Sequence, residues 1–367
     1  MITFTDVTKQ YPDGTVAVDE LNLEVPEGTL AVFVGPSGCG KTTSMRMINR
    51  MIDATSGTLT VDGKDVTKVD PVKLRLGMGY VIQSAGLMPH QRVIDNVATV
   101  PVLRGESRRA ARKAAYGVLE RVGLDLKLAD RYPAQLSGGQ QQRVGVARAL
   151  AADPPILLMD EPFSAVDPVV REDLQTEILR LQNDLKKTIV FVTHDIDEAI
   201  KLGDKVAVFG RGGVLQQYDE PSRLLSNPAN EAVAAFVGAD RGYRGLQFFG
   251  ATGVPLHELR HVSEPEIDAL HLSSGQWVLI TKDDGRPFAW INGQGVELHR
   301  GGSSLYDSTT AGGSLFRPDG TLRQALDAAL SSPSGLGVAV DGNGQVAGGV
   351  KADDVLVALD KQRAERG

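Results

Sequence analysis

The chain of 367 residues has little cysteine, no long apolar run and no excess of positive charge. Cys39 is its sole cysteine, so no disulfide can form within the chain, and this usage fits a reducing cytosol. No run of about 18 apolar residues occurs, so we expect no segment to span a bilayer. Residues 1–6 lack a basic stretch followed by an apolar block, so we expect no signal peptide. A net charge of −7 argues against a general nucleic-acid binder.

Hydrophobic content of 42% and charged content of 23% fit a soluble globular protein, and the length suits two domains. Residues 1–30 alternate in the manner of strands, and residues 90–150 follow a helical pattern. Three short apolar runs, Leu30–Val34, Ile156–Met159 and Thr188–Thr193, predict buried parallel strands separated by helices. We therefore expect a doubly wound α/β core that binds ligands at the carboxyl ends of its strands.

A glycine-rich loop follows the first of these runs. Residues 35–42 match the phosphate-binding pattern G-x-x-x-x-G-K-[ST], between a predicted strand and a predicted helix. Lys41 supplies a positive charge to the phosphates, and the Thr42 hydroxyl can ligate Mg²⁺. The candidate ATP-binding residues of this loop are Gly35, Pro36, Ser37, Gly38, Cys39, Gly40, Lys41, Thr42 and Thr43.

Two further stretches carry phosphate chemistry. Leu136–Gln140 combines a serine and two glycines at a predicted helix start, where a hydroxyl and backbone N–H groups are offered to an anion. Two such devices far apart in sequence suggest that ATP is held between two copies of the chain. Asp160 and Glu161 follow a buried strand, so one carboxylate is expected near Mg²⁺ and the other near the γ-phosphate, facing the attacking water.

With these motifs in this order, residues 1–238 resemble the ATPase subunit of an ABC transporter. The resemblance implies that Asp160 is the Walker B aspartate, that Glu161 is the catalytic base and that the cofactors are ATP and Mg²⁺. It also implies three roles outside the phosphate loop: His194 as a switch histidine at the γ-phosphate, Gln83 as a contact of both metal and water, and Tyr11 stacked on adenine. In the opposite subunit, Ser137, Gly138, Gly139 and Gln140 would contact the nucleotide, and Asp167 would lie in the segment 164–167 that crosses the dimer interface.

Two segments, Met45–Arg50 and Val81–His90, resemble those of importers of glycine betaine, choline or carnitine, a narrower group within this family. This resemblance implies three partners: a separate membrane permease, a second copy of this chain and an extracytoplasmic substrate-binding protein. The permease would be contacted through Ser84–Gln91, and no nucleic acid would be bound. The chain would lie on the cytoplasmic face of the plasma membrane as a peripheral subunit. Two alternative functions remain: the ATPase of an importer of another small solute (amino acid, sulfonate or thiol betaine), and a non-transport ABC ATPase.

The remainder of the chain predicts a smaller α+β domain. We expect the ATPase domain, with an antiparallel β subdomain and a helical subdomain, at 1–238, a linker at 239–255 and a degenerate tandem CBS-like domain at 256–367. Helix–strand–turn–strand–helix patterns carry that resemblance, with the turn Asp283–Gly285 in the fainter copy. Asp354 matches the ribose-binding acid of nucleotide-binding CBS modules, but Lys351 stands where they have Thr or Ser. A regulatory module and a dimer-stabilising appendage both fit.

Overall fold

A computed structural model of the protein describes residues 1–83, 86–164 and 166–366, without the side chains of residues 168–170 and 366. Ser84 and Ala85 of the loop expected to face a permease, Ala165 of the segment 164–167 and Gly367 lie outside the described residues. The chain divides into two units, Met1–Gly238 and Ala239–Gly367.

The strands of the first unit are β1 (Ile2–Gln10), β2 (Val16–Val25), β3 (Leu30–Val34), β4 (Ser56–Val61), β5 (Lys64–Asp65), β6 (Met78–Val81), β7 (Ile156–Asp160), β8 (Thr188–Val192), β9 (Lys205–Phe209) and β10 (Leu215–Asp219). Its α-helices are α1 (Lys41–Ile48), α2 (Pro71–Leu76), α3 (Val93–Leu103), α4 (Arg108–Arg121), α5 (Gly138–Leu150), α6 (Pro168–Leu185), α7 (Ile196–Leu202), α8 (Pro221–Ser226) and α9 (Glu231–Val237).

Two sheets organise the first unit. The order β2-β1-β4-β5 forms an antiparallel sheet, and the order β10-β9-β3-β8-β7-β6 forms a sheet in which β9, β3, β8, β7 and β6 are parallel. One apolar cluster, which includes Phe4, Met45 and Leu158, joins α1 to both sheets. Helices α3, α4 and α5 pack on one another as a helical layer. The expected doubly wound core with its antiparallel and helical subdomains is therefore present.

Every residue of β3, β7 and β8 is buried, which explains why these segments read as unbroken apolar runs. The three strands lie side by side and parallel, so their carboxyl ends meet at one edge of the sheet. That edge is where the phosphate loop, the two acidic residues and the candidate histidine leave the sheet. Within the described ranges, no helix combines the length and apolar character needed to cross a membrane.

The second unit contains two sheets, in the orders β11-β12-β13-β14 and β15-β16-β17. Its elements are α10 (Arg241–Gly245), β11 (His261–Ser263), β12 (Trp277–Thr281), β13 (Pro287–Asn292), α11 (Gly293–Arg300), α12 (Leu305–Ser308), β14 (Thr310–Ala311), β15 (Leu315–Phe316), α13 (Leu322–Ser331), β16 (Gly337–Val340), β17 (Val346–Val350) and α14 (Ala352–Arg366). Strand, helix, antiparallel hairpin and helix occur in that order twice. The first copy uses a 3₁₀ helix, Glu264–Ala269, where the second uses α13.

Residues 239–255, expected as a linker, pack into the second unit in the structure. They contain α10, and Leu246, Ala251 and Val254 are buried in a cluster with residues of α13 and α14. Two backbone hydrogen bonds hold the end of the segment: Ala251 N–H donates to Gly320 O at 2.8 Å, and Leu322 N–H donates to Phe249 O at 2.8 Å. The segment is therefore part of this unit's core.

Asp354 is already engaged within the second unit. Its Oδ2 lies 2.7 Å from Nε2 of His257, whose backbone pairs with Gly349 of β17. Asp354, which resembles the ribose-binding acid of CBS modules, thus has a protein partner.

Candidate active site

The phosphate loop is shaped by its glycines. β3 ends at Val34, and Gly35, Gly38 and Gly40 all have positive φ before α1 begins at Lys41. Gly40 is the N-cap of α1 with φ 89°, and a Cβ there would lie 2.1 Å from the carbonyl oxygen of Ala17 on β2. A glycine is therefore required at this position both by its backbone conformation and by the closeness of β2.

The loop wraps the ammonium group of Lys41, whose side chain is buried. Its Nζ donates to the carbonyl oxygens of Gly35 at 2.7 Å and Pro36 at 2.9 Å, and lies 3.6 Å from Cys39 Sγ. Cys39 is buried beside it. A positive charge is thus held at the centre of a turn that precedes a helix N-terminus, and both features favour a bound phosphate.

Thr42 connects this loop to β7. Its hydroxyl donates to Oδ1 of Asp160 at 2.9 Å, and Asp160 is 4% exposed. Thr43, next along α1, is half-buried. The structure therefore brings two of the three residues expected at the metal, Thr42 and Asp160, into direct contact.

Two residues that the sequence analysis did not single out also contact Asp160. Arg46 Nη2 lies 3.3 Å from Oδ2, and the Tyr80 hydroxyl donates to the same oxygen at 3.5 Å. The hydrogen bond with Tyr80 and the charge of Asp160 raise the pKa of Arg46, and burial raises the pKa of Tyr80. Arg46 follows Thr42 by one helical turn, so spacing alone could have suggested that both face the same carboxylate.

Glu161 lies at the centre of a second cluster. Oε2 of its carboxylate accepts from Gln83 Nε2 at 3.4 Å and lies 3.2 Å from His194 Nδ1. Gln83 follows β6 and His194 follows β8, so the three residues expected to be catalytic meet at the carboxyl edge of the sheet. Each of the three comes from a different strand end.

The backbone of Glu161 is unusual for a glutamate. Its φ is 44°, in the left-handed region, and its N–H donates to Val192 O at 2.9 Å. Such a conformation costs about 1–3 kcal/mol and occurs at functional sites. It bends the chain out of β7 immediately after Asp160, so the two neighbouring carboxylates join different clusters.

The stretch Ser137–Gln140 forms the N-terminus of α5. Ser137 Oγ accepts from Gln140 N–H at 3.3 Å, and Gln140 Oε1 accepts from Ser137 N–H at 3.0 Å, a reciprocal capping box. Ser137 and Gly138 are exposed and Gly139 is buried. No hydrogen bond or ion pair between described residues joins this turn to residues 35–43. Within one chain, the two candidate anion sites are separate.

Tyr11 and Asp167 are the remaining predicted site residues. Tyr11 is 36% exposed in the turn between β1 and β2, and Nζ of Lys9 lies 5.3 Å from its ring centroid. Asp167 is exposed, and its carbonyl accepts from Arg171 N–H at 2.8 Å in the first turn of α6. In the same segment, the Ser164 hydroxyl donates to Glu161 O at 3.0 Å.

Comparison with known proteins identifies one relative that matches the whole chain and others that match about two thirds or more of it. The osmoprotectant import ATP-binding protein OsmV of Salmonella typhimurium is 39% identical over 377 residues, covering 100% of this chain and 98% of that protein. The glycine betaine uptake system ATP-binding protein YehX of Escherichia coli is 46% identical over 266 residues, 72% of this chain and 82% of that one. The carnitine transport ATP-binding protein OpuCA of Listeria monocytogenes is 50% identical over 241 residues, and the chain spans 60% of its length.

Solved structures agree with this relationship. A dimeric bacterial ABC transporter cassette is 33% identical, with a TM-score of 0.56, and the match covers 60% of this chain and 99% of the cassette. A dimeric post-hydrolysis cassette bound to ADP and Pi gives 32% identity and a TM-score of 0.55, over 60% and 99% of the two chains. The family model described as ABC transporter matches residues 18–164, which include the phosphate loop, Asp160 and Glu161. The chain therefore belongs to the family of ABC transporter ATP-binding proteins.

Proposed function

We propose that this ATP-binding subunit hydrolyses ATP to power the import of glycine betaine or related quaternary ammonium osmoprotectants through a separate permease. The convergence of Gln83 and His194 on Glu161, beside the Thr42–Asp160 pair, is the observation that carries the hydrolytic half of the proposal. Similarity over the full chain to an osmoprotectant import ATP-binding protein supports the cargo. The alternative is an importer of another small solute.

The phosphates of ATP would be held by the loop around Lys41. Its ammonium supplies the positive charge, and the N–H groups of residues 38–42 surround the β- and γ-phosphates. Tyr11 offers its ring face to adenine. Any base can stack on such a face, because every base has a π-face. These contacts bind ATP without selecting strongly for its base.

Mg²⁺ fits the oxygen atoms that lie where the start of α1 meets the end of β7. The Thr42 hydroxyl and the Asp160 carboxylate are hard oxygen ligands 2.9 Å apart, and the Gln83 side-chain oxygen is a third candidate. When bound, the ion would neutralise charge on the phosphates during transfer. Arg46 and Tyr80 would hold the Asp160 carboxylate in place beside Thr42.

Glu161 would accept a proton from the attacking water. Gln83 and His194 both contact one oxygen of its carboxylate, so they fix the carboxylate's direction and can reach the same water. His194, whose side chain is 58% exposed, would contact the γ-phosphate as well.

A second copy of the chain would complete the site. Ser137, Gly138, Gly139 and Gln140 form a helix start, exposed at Ser137 and Gly138, that would bind the γ-phosphate held by the partner. Asp167 would lie at the interface between the copies. The dimeric cassettes of known structure support this arrangement. ATP would close the dimer and hydrolysis would reopen it, and the loop Ser84–Gln91 would carry the movement to the permease.

Further partners follow from this role. An extracytoplasmic substrate-binding protein would deliver the cargo, and the chain would lie peripherally on the cytoplasmic face of the plasma membrane. We assign residues 1–238 to the ATPase domain and residues 256–367 of the second unit to a degenerate tandem CBS-like domain. Its twice-repeated element order supports that assignment, and both a regulatory and a dimer-stabilising role are compatible with it.

Glu161→Gln tests the hydrolytic proposal. The amide cannot take a proton, so we expect ATP binding to persist, turnover to fall by about 100-fold or more, and the dimer to stay closed with ATP bound. Turnover by steady-state phosphate release and dimerisation by size-exclusion chromatography measure both effects. Glu172→Gln, at a carboxylate whose side chain is 77% exposed on α6, is the matched control and should behave as wild type. Turnover of Glu161→Gln within about tenfold of wild type would remove Glu161 as the base.

A further inference from the structure

Glu198, on α7, is a buried carboxylate that the catalytic scheme above does not use. It is 6% exposed and lies four residues after His194. A buried carboxylate is costly unless it is paired and hydrogen-bonded, so its contacts indicate what it holds in place.

The first of these contacts fixes the residues on both sides of His194. The Thr193 hydroxyl donates to Glu198 Oε2 at 2.6 Å, and the same hydroxyl oxygen accepts from Asp195 N–H at 3.0 Å. Asp195 in turn caps α7 by accepting from the N–H groups of Asp197 and Glu198. The backbone before and after His194 is therefore tied to the carboxylate of Glu198.

The remaining contacts of Glu198 come from α6. Gln175 Nε2 donates to Glu198 Oε1 at 3.4 Å, and Arg171 Nε lies 3.9 Å from the same oxygen. Arg171 also lies 3.9 Å from Asp195 and donates through Nη2 to the carbonyl oxygen of Val166 at 3.4 Å. Arg171 thus links Glu198 to the segment 164–167.

These groups surround a small polar cavity next to Glu161. Its volume is about 40 Å³, and its walls include Glu161, His194, Arg171 and Glu198. A space of that size with polar walls suits ordered water. The cluster around Glu161 and the contacts of Glu198 therefore line the same cavity.

We propose that Glu198 is a positioning residue for His194, and that Arg171 couples this position to the segment 164–167. Glu198 holds the Thr193–Asp195 turn so that the His194 ring stays within reach of Glu161. Movement of Val166 when two copies close would reach this turn through Arg171. The inference rests on the proposed hydrolytic function.

The test compares Glu198→Gln with wild type and with the Glu172→Gln control in steady-state ATP hydrolysis. We expect kcat to fall by about tenfold or more while KM for ATP changes by less than about threefold, because the phosphate loop around Lys41 and the ring of Tyr11, which would hold ATP, are untouched. A readout that general destabilisation would not give comes from adding His194→Ala. If Glu198 acts through His194, Glu198→Gln should change kcat of the His194→Ala variant by less than about twofold.

Thr193 supplies a second pair of variants, which decides the matter where Glu198→Gln does not fold or His194→Ala lacks measurable turnover. Thr193→Val removes the hydroxyl with little change of shape and should repeat the loss, whereas Thr193→Ser keeps the hydroxyl and should retain wild-type kcat. Wild-type kcat for Glu198→Gln, an equal loss with and without His194, or equal values for the two Thr193 variants would overturn the inference alone. A wild-type chain without ATPase activity would instead remove the proposed function and this inference with it.

Discussion

Replacing Gly40 with alanine should damage the phosphate loop far more than the same change at Gly38. Both residues lie in the loop and have positive φ, 89° and 77° respectively. A Cβ at Gly40 would lie 2.1 Å from the carbonyl oxygen of Ala17, which is part of β2, whereas a Cβ at Gly38 would have no neighbour within 4 Å. The pair therefore separates the cost of backbone conformation from the cost of the collision.

The magnitudes follow from these two terms. A left-handed backbone at an alanine costs about 1–3 kcal/mol, and this term applies to both variants. Forcing a methyl group against a fixed strand adds about 1–3 kcal/mol for Gly40→Ala. For a domain of this size, that difference corresponds to a melting temperature lower by about 2–12 °C for Gly40→Ala than for Gly38→Ala.

Differential scanning calorimetry without nucleotide measures this difference, since Gly38→Ala could also disturb bound phosphate. Circular dichroism at the start of each scan checks that both variants are folded. Equal melting temperatures for the two variants would show that the closeness of Ala17 to Gly40 does not exclude a Cβ, and the steric reasoning would fail.

Three further outcomes are expected. Tyr11→Ala should weaken ATP binding by about 5- to 150-fold, the value of one stacking contact, while Tyr11→Phe should keep wild-type affinity. Isothermal titration calorimetry measures both affinities for ATP, and equal affinities of the two variants would refute stacking. Burial raises the pKa of Tyr218 above its ordinary value of 10.0, and its hydroxyl has no partner among the described residues. The folded state therefore favours the neutral phenol, and its contribution to stability is present below pH 10 and lost as pH rises above it. In urea unfolding, Tyr218→Phe should lie within about 1 kcal/mol of wild type at pH 8 and lose less stability between pH 10 and 11; parallel losses would contradict this. Trp290→Ala should destabilise the second unit by about 3–5 kcal/mol in denaturant, because Trp290 is 1% exposed in its core, while ATP affinity of the first unit stays unchanged. Loss of ATP binding in this variant would show that the two units do not fold separately.

The phosphate loop and the acidic pair could be predicted from sequence because each depends on local order. A buried strand, a glycine turn and a helix start follow one another directly in residues 30–42. Asp160 ends β7 after four apolar residues, and Glu161 follows it. The meeting of Gln83, Glu161 and His194 could be expected from family resemblance. Their distances depend on the pairing of β6, β7 and β8.

The contacts of Asp160 and Glu198 could not be predicted in the same way. Tyr80 reaches Asp160 because β6 pairs with β7, and Arg171 reaches Glu198 because α6 lies against the turn after β8. The sequence predicts a linker at residues 239–255 because the composition shifts after about Gly238 to glycine and polar residues, with a weaker pattern. Leu246, Ala251 and Val254 are nevertheless buried, a consequence of tertiary packing that spacing along the chain does not reveal.

Uptake of labelled glycine betaine tests the central claim most directly. Cells without this gene and without other betaine importers are complemented with wild type or with Glu161→Gln, and uptake is measured at low and high external salt. The account predicts that only wild type restores uptake, and a rise with salt would point to a regulatory second unit. Equal uptake in all strains would contradict the osmoprotectant assignment and favour another cargo, while leaving the ATPase assignment in place.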